Sequence, residues 1–166
     1  MPAINKIEVI TKTEQTAFGL PINLTINKIN VSSTIEHVGI TPDGAMAVPK
    51  DQNNVAWFKI GTRPGEKGTA VIDGHYGWKD GKPSAFDNLY KLRPGDKILV
   101  KDDAGATITF VVRAIKRYSP GANATAVFIS NDDKSHLNLI TCEGTWDKAS
   151  KSYSTRLVIF ADKEIE

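Results

Sequence analysis

The sequence is poor in cysteine and has no long hydrophobic run, and each absence excludes a class of protein. Its one thiol, Cys142, excludes an internal disulfide framework and a zinc site built on several cysteines. No run of about 18 apolar residues is present, so no segment is expected to span a membrane. The first 19 residues also lack the apolar centre of a signal peptide. We therefore expect either a cytosolic protein or an exported domain whose anchor lies outside this sequence.

The sequence also lacks a strong charge of either sign. Its 21 Lys and Arg residues are nearly balanced by 19 Asp and Glu residues, which leaves a formal net charge of +2. The basic residues are scattered, without the basic blocks or aromatic–basic interleaving that are typical of nucleic-acid-binding proteins. We therefore expect a solvated surface of mixed charge and no nucleic-acid partner.

Short alternating segments between Gly- and Pro-containing turns make up most of the chain, and no helical pattern of ordinary length is present. The length of 166 residues suits one domain. Residues 1–20 are polar and are predicted to form a flexible or edge-packed lead-in to a single domain at 21–166. The segments indicate an all-β barrel or sandwich. The predicted strands are 22–31, 34–40, 45–48, 69–73, 97–101, 107–118, 136–142 and 154–162.

Helical structure is predicted only as short turns in the connecting loops. Asp51 is expected to cap a brief helical turn that carries Val55, Trp57 and Phe58 toward the core. Ser84 is expected to cap a second helical turn over the following five residues.

The strands that flank Cys142 suggest a site. Cys142 is predicted to end the strand 136–142, and Arg156 stands near the start of the strand 154–162. If these strands pair, the thiol and the guanidinium face the same space, and a nearby cation favours the reactive thiolate. The alternative is an inert, buried thiol, which is the commoner fate of a lone cysteine.

One of the three histidines is placed to act as a base. His75 follows the short apolar strand 69–73 and is flanked by Gly74 and Gly77, which permit close approach of a substrate. The alternative is an ordinary turn histidine. His37 and His136 are expected to be surface or capping residues.

These residues resemble the motifs of the sortases, the cysteine transpeptidases of Gram-positive cell surfaces. The resemblance is carried by TAVIDGHYG, LITC and STRLVIFA, in which His75 precedes Cys142 by 67 residues and Arg156 follows it by 14. The wider sequence looks most like class F sortases, with class E or D as the runner-up. The strand before the thiol departs from the family motif in having Asn138 where threonine is usual.

The resemblance implies an eight-stranded sortase-like β-barrel and a role for each site residue. Cys142 would attack the peptide carbonyl, His75 would act as acid and base, and Arg156 would donate hydrogen bonds to the oxyanion or to a substrate carbonyl. Ile140 shares the strand face of Cys142 and would line the substrate groove. Thr141 would neighbour the substrate through its peptide, with its side chain pointing the other way.

The resemblance also implies partners and a location. The substrates would be LPxTG-like sorting signals of surface proteins, and the acyl acceptor would be a peptidoglycan precursor or another amine. The enzyme would act on the outer face of the cell membrane, attached only through an anchor that is absent from these residues. No cofactor is expected, and no metal requirement is predicted because the paired acids at 102–103 and 132–133 suit ordinary turns.

Other interpretations of the sequence remain open. A cysteine peptidase could use the same three residues for hydrolysis, whereas an L,D-transpeptidase typically has a Ser/His-Gly-Cys setting that LITC does not match. A non-catalytic β-barrel binding module with a buried thiol is the third interpretation. The segment 119–134 is expected to lie over the groove, with Val127, Phe128 and Ile129 either selecting substrate or packing in the core.

Overall fold

The computed structural model describes residues 18–165, and within that range eight strands close into one β-barrel. The predicted all-β, eight-stranded barrel is therefore confirmed. Helical structure in this range is confined to short turns. The strands are β1 (Pro21–Ile26), β2 (Val31–Val38), β3 (Val55–Phe58), β4 (Gly68–Gly74), β5 (Lys97–Asp102), β6 (Thr107–Tyr118), β7 (Ser135–Asp147) and β8 (Ser152–Lys163), and the helical turns are the 3₁₀ segments Asn27–Ile29 and Leu89–Lys91 and the four-residue helix α1 (Thr125–Phe128).

The order of strands around the barrel is β1-β2-β3-β4-β7-β8-β6-β5, and β5 pairs with β1 to close it. Two of the pairings, β2 with β3 and β4 with β7, are parallel, and the others are antiparallel. The parallel pairing of β4 with β7 brings together two segments that are far apart in the chain. It fixes the position of the site described below.

The core fills the barrel interior, because alternate residues of each strand point inward. On β7 and β8 the inward set is Leu137, Leu139, Leu157, Ile159 and Ala161, all of which are buried. A second, smaller cluster lies outside the barrel, where α1 covers the outer faces of β7 and β8. The buried members of this outer cluster are Val127, Val158 and Phe160.

The segment predicted as one strand at 22–31 is two strands. β1 ends at Ile26, a 3₁₀ turn follows, and Asn30 adopts a left-handed conformation with φ of 56° before β2 begins. Asparagine tolerates this conformation better than most residues, so the chain can reverse here. The alternating pattern therefore continues across a tight turn that periodicity alone does not reveal.

The helical turn predicted at Val55–Phe58 is wrong, because this segment is strand β3. It pairs in parallel with β2 and antiparallel with β4, and its residues Val55, Ala56 and Trp57 are all buried. β-branched and aromatic residues suit such a central strand. The segment 45–48, predicted as a strand, contributes only an isolated bridge between Ile40 and Met46.

β7 and β8 form a longer hairpin than predicted. β7 continues five residues past Cys142 to Asp147, so the thiol is within the strand and not at its end. The pairing shifts register between Glu143 and Trp146, around Gly144, whose φ of 91° is readily adopted only by glycine. This irregularity changes the direction of the outer half of the hairpin, next to the thiol.

The predicted lead-in lies mostly outside the described residues, which begin at Phe18. The backbone N–H of Gly19 donates to Asp102 at 2.9 Å and that of Leu20 donates to Asp103 at 2.8 Å. Residues 18–20 are therefore fastened to the turn between β5 and β6.

Candidate active site

Side chains on the outer face of β4, β7 and β8 line a groove of about 900 Å³. The loops 39–54 and 119–134 form its sides. All three residues predicted to be catalytic, His75, Cys142 and Arg156, line this groove. The structure therefore brings them together, although they lie in three separate parts of the sequence.

Backbone pairing fixes the relative positions of these three residues. Cys142 on β7 lies directly across from Arg156 on β8 in the antiparallel register. In the parallel register of β4 with β7, Asp73 pairs with Ile140. Cys142 stands two residues further along β7, and His75 follows Asp73 by the same two residues, directly after β4 ends, so the imidazole and the thiol come from the same level of the sheet.

Cys142 is partly buried, and this controls its ionisation. Burial raises the pKa of the thiol above its ordinary value, and the guanidinium of Arg156 offsets part of that rise. The carboxyl of Asp73 acts in the opposite direction and raises the pKa. The resting thiol is therefore largely protonated at neutral pH, and it needs a base before it can act as a nucleophile.

Arg156 faces the groove and does not form the surface ion pair with Glu143 that would have given it a purely structural role. Glu143 pairs with Arg117. The guanidinium of Arg156 makes a long hydrogen bond of 3.4 Å to the carbonyl of Tyr153. Its remaining N–H groups are thus available for a ligand in the groove.

His75 is held by the loop 39–54. Its Nε2 lies 2.6 Å from the carbonyl oxygen of Pro49, and since a carbonyl only accepts, Nε2 carries the proton. Nδ1 is then the unprotonated nitrogen of the neutral ring. This tautomer provides a base whose position depends on the loop.

The backbone around His75 is fixed from both sides. Gly74 is buried, and a Cβ at this position would meet the ring of Phe86 at 2.6 Å, so only glycine fits. Beyond the histidine, the N–H of Gly77 donates to Asp87 at 2.7 Å. The hydroxyl of Ser84 donates to the Gly77 carbonyl at 2.5 Å, so Ser84 ties down this loop and does not cap a helix as predicted.

The two predicted substrate-binding residues differ in what their side chains do. Ile140 lines the groove and packs against the outer cluster under α1. The hydroxyl of Thr141 points inward and donates to the carbonyl of Gly74 at 2.8 Å. Thr141 therefore links β7 to the backbone immediately before His75.

The segment 119–134 covers one side of the groove, as expected. Val127 is buried in the outer cluster, while Phe128 is partly exposed and makes an edge-to-face contact with Phe58, with 5.9 Å between ring centroids. The side-chain amide of Asn138 donates to the Val127 carbonyl at 2.7 Å. The asparagine that departs from the family motif thus anchors α1 over the groove.

The other two histidines have structural partners away from the groove. His37 Nε2 donates to the carbonyl of Pro21 at 2.7 Å, and the ring packs against Trp57. The buried ring of His136 lies between the carboxylates of Asp132 and Asp162, at 2.7 Å from each. Both histidines tie segments of the barrel together.

Sequence reasoning missed two features of the groove. Tyr153 contacts both Tyr76 and Trp146, with ring centroids 5.3 and 5.1 Å apart, so aromatic rings flank His75. Asp73 lines the groove on the same strand face as His75, two residues away, and alternation along β4 was a signal that could have found it.

Comparison with known proteins decides the family. A sortase domain family matches residues 24–164, which is most of the chain. The chain belongs to the sortase family. Sortases are cysteine transpeptidases of the cell envelope that face the outside of the cell, and they act on LPxTG-type sorting signals and amine acceptors. No curated protein gives a significant match to this sortase.

Solved structures of other sortases share the fold. Sortase C-1 of Actinomyces oris is 23% identical, with a TM-score of 0.67, over 88% of this chain and 76% of that one. Sortase A of Corynebacterium diphtheriae is 22% identical, with a TM-score of 0.68, over 90% and 62% of the two chains. A sortase D5 transpeptidase of Clostridium perfringens is 25% identical, with a TM-score of 0.65, over 96% and 89%.

Residues 18–165 lack two features that would imply a membrane span or a metal centre. That range contains no helix long and apolar enough to cross a membrane. It also contains no group of three or more His, Cys, Asp or Glu side chains placed to hold a metal ion.

Proposed function

We propose that this sortase cleaves an LPxTG-like sorting signal through a thioester on Cys142 and transfers the acyl group to a cell-wall amine. The single observation that carries the proposal is the convergence of His75, Cys142 and Arg156 on one groove. The reaction needs a nucleophile, a proton carrier and an oxyanion donor within reach of one carbonyl, and these three side chains are chemically suited to those roles.

In the first half-reaction, the proton of Cys142 passes to the neutral ring of His75 as the sulfur attacks the carbonyl before the scissile bond. The carbonyl oxygen becomes an oxyanion, which receives hydrogen bonds from Arg156. The intermediate collapses to a thioester as the C–N bond breaks, and His75 returns its proton to the departing amine. The raised pKa of the resting thiol is the reason that this step needs a base.

In the second half-reaction, an amine acceptor attacks the thioester carbonyl. It loses a proton to His75, and the sulfur leaves as a thiolate that takes the proton back. A new amide bond forms and the resting enzyme is regenerated. With water in place of the amine, the same steps give an acid, which is the peptidase outcome.

The finer assignment follows the sequence motifs. We assign the chain to class F, with class E or D as the alternative, and its partners to surface proteins with LPxTG-like signals and a peptidoglycan precursor or a similar amine. Its place of action is the outer face of the cell membrane. Ile140 and the peptide of Thr141 would contact the sorting signal.

The test is incubation with an LPxTG peptide, with and without glycine or a diaminopimelate-type amine, followed by mass spectrometry. We expect an amide product when the amine is present, and an acid product alone would instead identify a peptidase. Cys142→Ala should abolish thioester formation, and His75→Ala should nearly abolish it. Arg156→Ala should lower turnover by roughly a hundredfold or more, the usual cost of losing an oxyanion donor.

Matched controls separate catalysis from folding. His37→Ala and Arg113→Ala remove a histidine and an arginine that lie outside the groove. Both should retain most of the activity. A Cys142→Ala protein that still ligates peptides would defeat the proposal.

A further inference from the structure

A carboxyl group that the proposed chemistry does not use lies in the groove. Asp73 is on β4, two residues before His75, and pairs across the parallel ladder with Ile140. Cys142 follows Ile140 by two residues on the same face of β7. Asp73 therefore lies one level below the thiol and the imidazole, in the wall along which the bound signal must run.

The residues around Asp73 leave one oxygen of its carboxyl without a hydrogen bond. Its Oδ1 is buried and has no hydrogen-bond partner. On the neighbouring strands, Ala56 of β3 and Ile140 of β7 pair with it, and neither has a polar side chain. Because an unpaired buried oxygen destabilises the fold, its presence in the groove points to a hydrogen-bond partner that the chain itself does not supply.

Burial keeps the Asp73 carboxyl protonated at neutral pH. Burial is the main cause that raises its pKa to about 8, and the carboxylate of Glu36 on β2 adds to the rise. The groove is also lined by His75, which follows β4, by Cys142 on β7 and by Arg156 on β8, while β3 and α1 contribute no charged side chain. A protonated carboxyl has one O–H donor and acceptor oxygens, so it can bond a group that is itself both donor and acceptor.

We propose that Asp73 positions the sorting signal by hydrogen bonding to the threonine hydroxyl of the residue before the scissile bond. This inference rests on the proposed function, because it assumes an LPxTG-like signal in the groove. Because the threonine carbonyl must reach Cys142, the threonine side chain can extend to the level of Asp73 in the groove. The threonine hydroxyl is both a donor and an acceptor, as is a neutral carboxyl, so the two groups are complementary.

The test compares a threonine signal, LPATG, with its valine counterpart, LPAVG, in the wild type and in variants at position 73. Valine has nearly the shape of threonine but no hydroxyl, so the ratio of kcat/KM for the two peptides isolates the hydrogen bond. In the wild type we expect threonine to be favoured by about 10- to 100-fold, the effect of one buried hydrogen bond. Asp73→Leu should bring the ratio close to one.

Asp73→Asn is the conservative rescue, because an amide keeps a donor and an acceptor without titrating. It should retain most of the threonine preference and keep it at all pH values. The wild-type preference should change as the pH rises through about 8, because the ionised carboxyl can accept a hydrogen bond but no longer donate one. Asp103→Asn, on the turn between β5 and β6, is the matched control and should behave as the wild type.

The outcomes separate this inference from the function on which it rests. An equal threonine preference in the wild type, Asp73→Leu and Asp73→Ala would overturn the inference. An equal fall in kcat/KM for both peptides in the variants would also overturn it. If Asp73→Leu does not fold, the pH dependence of the wild-type ratio, compared with Asp73→Asn, decides the question in its place. A wild type that forms no thioester at all would instead defeat the proposed function.

Discussion

The buried carboxyl of Asp73 gives a prediction about folding that is independent of any substrate. Its pKa is raised from 3.8 to about 8 in the folded protein, mainly by burial. Between these two pKa values the folded state keeps a proton that the unfolded state has released. The contribution of Asp73 to the free energy of unfolding is therefore fully present below pH 3.8 and is lost as the pH rises through about 8. At about 1.4 kcal/mol per pKa unit, the loss between pH 5 and pH 8 is on the order of 4 kcal/mol.

The assay is urea unfolding of the wild type and Asp73→Asn at intervals from pH 5 to pH 8. Asparagine does not titrate, so the difference between the two free energies of unfolding removes the contribution of every other group. We expect Asp73→Asn to gain stability relative to the wild type by about 4 kcal/mol across this range. Asp103→Asn, a control on an exposed turn, should run parallel to the wild type. A relative gain below about 1 kcal/mol would refute the reasoning.

Three further predictions concern the residues that support the site. Arg156→Met should raise the pKa of Cys142 further, because the cation that lowers it is lost, so the pH profile of iodoacetamide labelling should move to higher pH; an unmoved profile contradicts this. Gly74→Ala should destabilise the fold by about 1–3 kcal/mol in thermal unfolding, because its methyl group collides with a core phenylalanine ring, whereas Gly39→Ala, with ordinary contacts, should not. Thr141→Val should cost about 1–3 kcal/mol by leaving the buried Gly74 carbonyl without its donor, and an unchanged urea midpoint would count against that bond.

Strong alternation and turn residues were enough to predict most of the barrel from the sequence. The long alternating run Thr107–Tyr118 is strand β6 with the same bounds. Val55–Phe58 was misassigned because a four-residue apolar segment has no readable period, and its strand conformation depends on partners from distant parts of the chain. The strand predicted at 45–48 was wrong for the same reason: no neighbouring strand pairs along its length.

The candidate site was predictable where chemistry and position in the motif agree. Cys142 and Arg156 lie across from each other, as pairing of the two flanking strands required. The extension of β7 beyond Cys142 was hidden by the polar residues that follow, because an exposed hairpin has no buried face to mark it. Asp73 was overlooked since an acid at the end of a strand ordinarily suits a turn, and only the three-dimensional packing shows its unpaired oxygen.

The parallel ladder between β4 and β7 has a consequence for how this sortase becomes active. His75 and Cys142 meet only through a contact that spans 67 residues of chain, which is among the slower kinds of contact to form during folding. A chain that has made its local hairpins but not yet joined these two strands has a thiol without a base. Competence for acyl transfer is therefore expected only in chains in which this parallel ladder has formed.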